Sequence, residues 1–296
     1  MLRLELERFF AALRFFTRLP VPAWVGHSQA QLDSAARYFP LVGILVGIIG
    51  AVATEAALLV LPLSLAVLVG MAATLLATGA FHEDGFADAC DGFGGGWEKA
   101  QVLAIMKDSR IGSYGAIGIG LMLLAKWNAL VEIAGAFEPS YLAAAIIAAH
   151  AASRLASTAL IYALEYVREN DGWCPPTPRP PPQGGGDGSS PAAPAPGTTL
   201  DFPLGRPGGE IMAKSKPLAR KLTPGEMAVA ALFGIAPSLF LPWPESLLAV
   251  TGAAMAAWLG GLYFVRRIGG YTGDCLGAAQ QAAELLFYAA LLVQFD

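Results

Sequence analysis

Seven long apolar blocks are the feature that most limits how this chain can fold. They lie near residues 40–61, 63–81, 113–133, 140–163, 225–241, 246–265 and 281–295. A membrane-spanning helix needs roughly 20 apolar residues, because the hydrocarbon core of a bilayer is about 30 Å thick. Inside that core, backbone polar groups must be hydrogen-bonded within the protein. The sequence therefore predicts an all-α, polytopic transmembrane helical bundle with about six or seven spans.

The composition agrees with a membrane protein and excludes other classes. Hydrophobic residues make up 55% of the chain, charged residues only 14%, and the mean hydropathy is +0.53. The sequence contains no basic patch of the kind that binds nucleic acid. The three cysteines, Cys90, Cys174 and Cys275, have no CxxC spacing. Neither a disulfide framework nor a four-ligand zinc site is predicted.

The N-terminal residues 1–19 do not resemble a cleavable signal peptide, because arginines interrupt the apolar residues throughout. The alternation predicts an amphipathic helix that lies in the membrane interface. A helix packed against the rest of the protein would show the same pattern, so both alternatives stay open.

Lysine and arginine are distributed unevenly across the predicted membrane. Of the 19 such residues, 17 lie in four segments on one side, namely 1–39, 82–112, 164–224 and 266–280. The other two, Lys126 and Arg154, lie within spans. Because loops near spans carry an excess of Lys and Arg on the cytoplasmic side, we expect these segments to face the cytoplasm of a bacterial inner membrane.

Residues 175–209 are rich in Pro, Gly and Ser and have almost no apolar anchor. Such a segment cannot offset the entropy lost on ordering, so a disordered cytoplasmic loop is predicted. We expect residues 1–296 to form a single membrane-embedded domain that contains this loop.

The segment 82–92, HEDGFADACDG, is the densest acidic stretch of the chain. Asp84, Asp88 and Asp91 are spaced i, i+4, i+7, which places their carboxylates on one face of a helix. Together with Glu83 they offer hard oxygen ligands that suit Mg²⁺ or Mn²⁺ better than zinc. The alternative is a solvated acidic face at a helix end.

His82 begins the same segment. A zinc site with Cys90 is not predicted, because the two residues are eight positions apart and no second pair follows. The near-neutral pKa of an ordinary histidine suits a proton acceptor or a phosphate contact. A hydrogen bond at a helix junction is the structural alternative.

Two further segments contribute charged residues at the same predicted face. Lys107 and Arg110, with Asp108 between them to orient them, precede a helix start and suit phosphate. Far along the chain, Asp274 lies in a Gly-rich stretch and can complete the metal site. The alternatives are a positive-inside anchor for the cations and a helix N-cap for Asp274.

Three ionisable residues fall within apolar spans: Lys126, His150 and Arg154. Such groups are costly in a membrane and normally face an interior cavity, which makes them candidate substrate contacts. His150 and Arg154 could instead extend toward the interface.

The motifs FHEDGFADACDGFGGG at 81–96, IMKDSRIGSYG at 105–115 and GGYTGDCLGA at 269–278 resemble the cobalamin synthase family. The segments FFTRLPVP at 15–22 and RYFPLVG at 37–43 also resemble the start of that family, so the similarity covers nearly the whole chain. The insertion at 175–209 departs from the compact loop expected there.

The resemblance implies an adenosylcobinamide-GDP ribazoletransferase. Such an enzyme joins adenosylcobinamide-GDP to α-ribazole, or to its 5′-phosphate, and releases GMP in the last steps of cobalamin biosynthesis. Phosphoryl transfer of this kind depends mainly on charge neutralisation and positioning. The expected metal is Mg²⁺, and the oligomeric state is not predicted.

Roles for the residues follow from this chemistry. We expect the Mg²⁺ ligands to be Asp84, Asp88, Asp91, Asp274 and Glu83. The expected substrate contacts are Lys107, Asp108, Arg110 and Arg154. Asp91, Asp88 and His82 are the candidate catalytic residues, with Asp91 favoured to accept the proton from the attacking ribose hydroxyl.

Two other functions compete with this one. Asp88-x-x-Asp91-Gly92 resembles the start of the CDP-alcohol phosphotransferase signature, but the Ala-Arg expected shortly afterwards and the final Asp-x-x-x-Asp pair are missing. A transporter would also carry charges within spans, although no inverted repeat is evident. It would not explain why acidic and basic residues gather at one membrane face.

Overall fold

The computed structural model describes residues 2–26, 34–137, 139–167 and 221–293. Apolar blocks and turn residues together set the ends of its helices. Within these ranges the fold consists of α-helices and short 3-10 turns, without a β-strand. The helices are α1 (Leu2–Phe16), α2 (Phe39–Leu58), α3 (Leu63–Thr78), α4 (Phe81–Gly95), α5 (Lys99–Lys107), α6 (Ser113–Ala136), α7 (Pro139–Ala163), α8 (Pro224–Ile235), α9 (Glu245–Ile268) and α10 (Gly273–Leu291).

The predicted all-α membrane bundle is confirmed, and fewer of its helices have full spanning length than the sequence indicated. Four helices are long and apolar enough to cross a bilayer: Ala36–Leu58, Ser113–Ala136, Ser140–Ala163 and Glu245–Ile268. The pair α3 and α4 passes the same test jointly but is bent by 88°. Among the described residues, four helices have the length and composition of a span, or five if the bent pair is one span, and the apolar helix Pro224–Phe240 is shorter.

Local breaks explain the lower count. In the predicted span 225–241, helix α8 ends at Ile235 and a 3-10 turn containing Pro237 follows. Proline lacks the backbone N–H that an α-helix needs and clashes with the preceding turn. The predicted span 281–295 begins inside α10, which carries Asp274, Gln280 and Gln281 in its first half and is not among the helices with the length and composition of a span.

Helix α1 combines the two arrangements that its sequence allows. Its C-terminal half packs into the bundle, where Leu13 and Phe16 are buried. Its N-terminal half exposes Leu2, Leu4 and Leu6. Exposed leucines on a helix that also carries arginines are typical of an interfacial segment.

The helices that follow the segment 175–209 pack against those that precede it. Helix α10 contacts α4 and α7 as well as α9, and α8 contacts α2 and α7. Small residues allow close approach: a Cβ built on Gly47 of α2 would lie 2.6 Å from the Cα of Ile147 on α7. The segment 175–209 itself lies outside the described residues.

Three of the segments that are predicted to face the cytoplasm meet at one end of the bundle, in the parts of them that the structure describes. They are 82–112, 164–224 and 266–280. The backbone N–H of Val167 donates to the carbonyl of Tyr271 at 2.9 Å, and the N–H of Tyr271 donates to that of Glu165 at 3.0 Å. Arg267 donates through Nη2 to the carbonyl of Gly96 at 2.6 Å. These contacts tie the ends of α4, α7 and α9 together.

Candidate functional site

A sharp turn positions α4, the helix that carries the acidic segment 82–92. This helix is called the acidic helix below, and it lies at the end of the bundle where α4, α7 and α9 are tied together. Gly79 and Ala80 both have positive φ angles, 66° and 56°, and they produce the 88° bend between α3 and α4. A left-handed conformation is costly for alanine and easy for glycine. Gly79 adopts this conformation without strain, and its missing side chain leaves room for the guanidinium of Arg18. The bend directs α4 away from the axis of α3.

The three aspartates of α4 lie on one uninterrupted helix, as predicted, but their environments differ. Asp84 is exposed, Asp88 is half-buried and Asp91 is buried, with 7% of its surface exposed. Their i, i+4, i+7 spacing puts the three on one face of α4.

Asp91 connects α4 to the start of α6. Its Oδ2 accepts a hydrogen bond from the backbone N–H of Gly112 at 2.6 Å, and its Oδ1 accepts one from that of Gly115 at 2.8 Å. These N–H groups belong to the N-cap and the first turn of α6, where donors lack helical partners and the helix dipole favours negative charge. A side chain on Gly112 or Gly115 would collide with the Asp91 carboxylate. The hydrogen bonds to Asp91 thereby fix the segment 105–115 next to the segment 81–96.

Asp274 lies beside the acidic helix because α4 and α10 cross at two glycines. A Cβ on Gly85 would lie 3.1 Å from the Cα of Asp274, and one on Gly277 would lie 2.9 Å from the carbonyl oxygen of His82. The N-cap of α10 is Thr272, whose side chain accepts a hydrogen bond from the N–H of Cys275. Asp274 is therefore in the first turn of α10 and is not its cap.

These contacts bring all three sequence motifs together, but the acidic side chains do not form a closed metal cage. Among the described residues, no group of three or more His, Cys, Asp or Glu side chains is arranged to hold a metal ion. This is compatible with Mg²⁺, which is usually bound by one or two carboxylates together with water and substrate phosphates. Asp84, Asp88 and Asp274 have the carboxylate chemistry that such a site needs.

Glu83 points to a different part of the protein. Its Oε1 accepts a hydrogen bond from Nε2 of Gln281 at 2.8 Å, and its Oε2 is buried without a hydrogen-bond partner among the described residues. Gln281 also accepts a hydrogen bond from Nζ of Lys126 at 2.7 Å. Glu83 thus belongs to a buried polar network between α4, α6 and α10.

The same network contains residues that sequence analysis did not single out. Glu284 forms an ion pair with Lys126 at 2.9 Å, and Gln280 donates to Glu284 at 2.8 Å. Both residues, like Gln281, are buried within α10. Their signal in the sequence was the spacing 280, 281, 284, which puts polar residues on one side of an apolar block.

Arg154 is buried in the bundle, with 2% of its surface exposed. Its Nη1 donates to the carbonyl of His150 at 3.0 Å and lies 3.2 Å from Nδ1 of that residue. Its Nε has no hydrogen-bond partner among the described residues. Arg154 and His150 therefore face the interior, and the alternative that they extend to the interface is wrong.

The cationic segment between α5 and α6 is exposed. Arg110 donates to the carboxylate of Asp108 through Nε at 3.0 Å and through Nη2 at 2.7 Å. These hydrogen bonds from Arg110 lower the pKa of Asp108. Lys107 is the last residue of α5 and is also exposed. The segment joins the acidic helix through the contacts between Asp91 and the start of α6.

His82 lies within an aromatic cluster. Its ring stacks on that of Phe16, with the centroids 5.0 Å apart, and it contacts Phe81 edge to face at 5.4 Å. The residue is buried, with 4% of its surface exposed. In the helical arrangement of α4, His82 lies on the opposite side from Asp84, Asp88 and Asp91.

Comparison with known proteins gives a consistent result. The family model described as "Cobalamin-5-phosphate synthase" matches residues 8–174 and 202–292. The chain is 40% identical to the adenosylcobinamide-GDP ribazoletransferase of Shewanella frigidimarina, over 97% of this chain and 95% of that protein. It is 41% identical to the protein of the same name from Ralstonia pickettii, over 98% of this chain and 97% of that protein. No solved structure matches the chain.

Proposed function

The chain belongs to the cobalamin-5-phosphate synthase family, and we propose that it acts as an adenosylcobinamide-GDP ribazoletransferase. In this reaction a ribose hydroxyl of α-ribazole, or of its 5′-phosphate, attacks the diphosphate of adenosylcobinamide-GDP. A new phosphodiester forms at the phosphorus on the cobinamide side as its P–O bond to the bridging oxygen breaks, and GMP leaves with that oxygen. The observation that carries the proposal is the meeting of the motifs at 81–96, 105–115 and 269–278 at one end of the bundle.

Asp84, Asp88 and Asp274 are the residues that we assign to Mg²⁺. Bound there, Mg²⁺ would supply positive charge for the diphosphate, which carries most of the negative charge of the substrates. The two glycines at the crossing of α4 and α10 are buried and let these helices approach closely, which places Asp274 beside the helix that carries Asp84 and Asp88.

The structure favours Asp88 over Asp91 as the acceptor of the hydroxyl proton. Both oxygens of Asp91 already accept backbone hydrogen bonds from α6, and the side chain is buried. Asp88 lies one turn earlier on the same face and is half-buried. We therefore assign Asp91 to positioning, where it keeps the start of α6 and the preceding cationic segment next to the acidic helix.

Lys107 and Arg110 are suited to the phosphate charge of the substrate and of the departing GMP. Both are exposed at the same end of the bundle, and Asp108 holds the guanidinium of Arg110. A guanidinium can donate two parallel hydrogen bonds to one phosphate, which makes arginine effective at such positions.

We propose that the protein lies in a bacterial inner membrane with this site facing the cytoplasm. The support is the distribution of Lys and Arg, 17 of which lie in segments predicted to share one side. Nucleotide substrates are also made in the cytoplasm. The apolar helices themselves support a multi-pass membrane protein.

The decisive experiment follows GMP release by the purified full-length protein in detergent or lipid. Adenosylcobinamide-GDP and α-ribazole should give stoichiometric GMP and nucleotide-loop product in the presence of Mg²⁺, and neither when EDTA is added. Reaction with a CDP-alcohol in place of adenosylcobinamide-GDP would instead indicate a lipid phosphotransferase. Absence of GMP with Mg²⁺ and both substrates would refute the proposed function.

A further inference from the structure

The backbone contacts at the N-terminal end of α4 leave the rotation of this helix about its own axis open. The turn at Gly79 and Ala80 bends the chain by 88°, so α4 does not continue the axis of α3. Where α4 crosses α10, Gly85 and Gly277 bring the two backbones together. Two glycines offer no side chain that resists rotation. The rotation matters because it decides where the aspartates of α4 point.

Glu83 supplies a polar contact beside this crossing. Its Oε1 accepts a hydrogen bond from Nε2 of Gln281 at 2.8 Å. Glu83 lies two residues before Gly85 on α4, and Gln281 lies about one helical turn after Gly277 on α10. The hydrogen bond therefore joins the two helices next to the point where their backbones touch.

Gln281 is itself fixed by further hydrogen bonds in the interior. Its Oε1 accepts from Nζ of Lys126 on α6 at 2.7 Å, and its Nε2 also donates to Oε1 of Gln280 at 2.7 Å. Lys126 is paired in turn with Glu284 at 2.9 Å. A buried side chain that is held by several hydrogen bonds is a rigid partner, so it gives Glu83 a defined position.

A second polar contact holds α4 further along. Asp91 accepts backbone hydrogen bonds from the start of α6. Glu83 and Asp91 are eight residues apart, which is about 12 Å along a helix axis. At the helical repeat they project in directions about 80° apart. Two attachments separated in this way restrain both the rotation and the tilt of the segment between them, which carries Asp84 and Asp88.

We propose that Glu83 is a positioning residue for the reaction and not a ligand of Mg²⁺, an inference that rests on the function proposed above. Its hydrogen bond to Gln281 sets the rotation of α4 that places Asp84 and Asp88 relative to Asp274. A displacement of about 1 Å at a reacting centre can slow a reaction by about 10²-fold, so a small rotation of α4 is sufficient to impair turnover.

Two substitutions separate the hydrogen bond of Glu83 from its charge. Glu83→Gln keeps an oxygen that can accept from Gln281, and its amide nitrogen takes the place of Oε2, which has no hydrogen-bond partner among the described residues. Turnover and the Mg²⁺ concentration for half-maximal GMP release should both stay within about threefold of wild type. Glu83→Met fills a similar volume without an acceptor. It should lower turnover by roughly tenfold or more and raise the Mg²⁺ requirement, because the aspartates lose their alignment.

Hydrogen exchange gives a readout that does not depend on catalysis. In the purified protein without substrate, the backbone amides of α4 should exchange faster in Glu83→Met and at the wild-type rate in Glu83→Gln. Glu245→Met is the matched control. Glu245 begins α9 at the far end of the bundle, and it too has a buried carboxylate oxygen without a hydrogen-bond partner in the described part of the chain. This variant should change neither turnover nor the exchange of α4.

The outcomes separate this inference from the proposed function. Wild-type turnover in Glu83→Met would show that Glu83 does not position the site. If Glu83→Gln loses as much turnover as Glu83→Met, or raises the Mg²⁺ requirement, the charge acts at the metal and the inference is wrong. Faster exchange throughout the protein in Glu83→Met would indicate a general loss of stability and would also overturn it. If the wild-type protein releases no GMP, the proposed function fails, while the exchange of α4 still tests the contact.

Discussion

Asp91 is distinct from the other aspartates of α4 because two backbone N–H groups of α6 already donate to it. In Asp91→Asn, the amide nitrogen would face one of these donors, and a charge-assisted hydrogen bond would be lost. We expect the stability to fall by about 2 kcal/mol. Thermal unfolding in detergent measures the loss.

The Mg²⁺ dependence distinguishes positioning from metal binding at Asp91. In Asp91→Asn, the Mg²⁺ concentration that gives half-maximal GMP release should stay within about twofold of wild type. A marked rise in this concentration without any loss of stability would show that Asp91 is a metal ligand.

Asp88 and Asp274 should behave in the opposite way. Each Asp→Asn substitution keeps the shape of the side chain and removes one charge, so the Mg²⁺ requirement should rise by roughly tenfold or more while the fold stays intact. Because ligands of one site act together, the double variant should cost much less than the sum of the single effects on the transition-state barrier. Titration of Mg²⁺ against GMP release gives these values.

Asp108→Asn is the control for this series. Asp108 holds Arg110 and is not assigned to the metal, so turnover should slow without a shift in Mg²⁺ dependence. If Asp274→Asn is as active as wild type at every Mg²⁺ concentration, the shared metal site proposed for α4 and α10 is wrong.

At the scale of secondary structure elements, the crossing of α4 and α10 depends on two glycines. In Gly85→Ala or Gly277→Ala, the new methyl group would lie within about 3 Å of backbone atoms of the other helix. Backbone cannot move aside as a flexible side chain can, so the helices must separate. We expect turnover to fall by roughly 10²-fold, because a shift of about 1 Å at a reacting centre has an effect of this size.

The control for the glycine pair is Gly120→Ala in α6. A Cβ at Gly120 meets nothing within 4 Å among the described residues. The substitution should leave turnover unchanged, and it should raise helix stability slightly because alanine loses less entropy than glycine on folding. Equal activity of all three variants would show that the close crossing is not needed for function.

The ion pair between Lys126 and Glu284 joins α6 to α10 in the interior of the bundle. Lys126→Met leaves the Glu284 carboxylate without its closest cation, which should cost about 3–5 kcal/mol. The double variant Lys126→Met with Glu284→Met removes both charges and should be less destabilised than the single variant. Thermal unfolding of the two proteins side by side tests this, and equal stabilities would mean that the pair is not coupled.

At the scale of the whole molecule, the loops at the site are expected on the cytoplasmic side. Single cysteines placed in a variant without native cysteines can report this. Ser109→Cys lies in the exposed segment before α6, and Val60→Cys lies in the exposed turn at the other end of α2. In intact spheroplasts, a membrane-impermeant maleimide should label position 60 and not position 109.

Labelling of position 109 from the periplasm would invert the proposed orientation. It would also place the acidic helix away from the compartment that holds the nucleotide substrates. The proposed function would then require a periplasmic supply of adenosylcobinamide-GDP.

The amino-acid sequence alone determined the class of fold and the chemistry of the motifs. The lengths of the apolar blocks and the positions of Lys and Arg are visible in the sequence itself. They therefore predict helices and a membrane environment without knowledge of contacts. The sequence also predicted that the segments at 81–96, 105–115 and 269–278 share one face. No predicted span separates the first two segments and four separate the second from the third, and an even number of spans returns the chain to the same side. The family resemblance rested on the same local motifs.

Tertiary structure decided the features that depend on residues far apart in sequence. The 88° bend before α4 results from a turn that packs against Arg18, and the role of Asp91 depends on N–H groups 21 and 24 residues away. The buried network joins Glu83 to Gln281 across 198 residues. Periodicity records which face of a helix is apolar, but it does not identify the partner of a polar side chain. That partner exists only after the helices have packed.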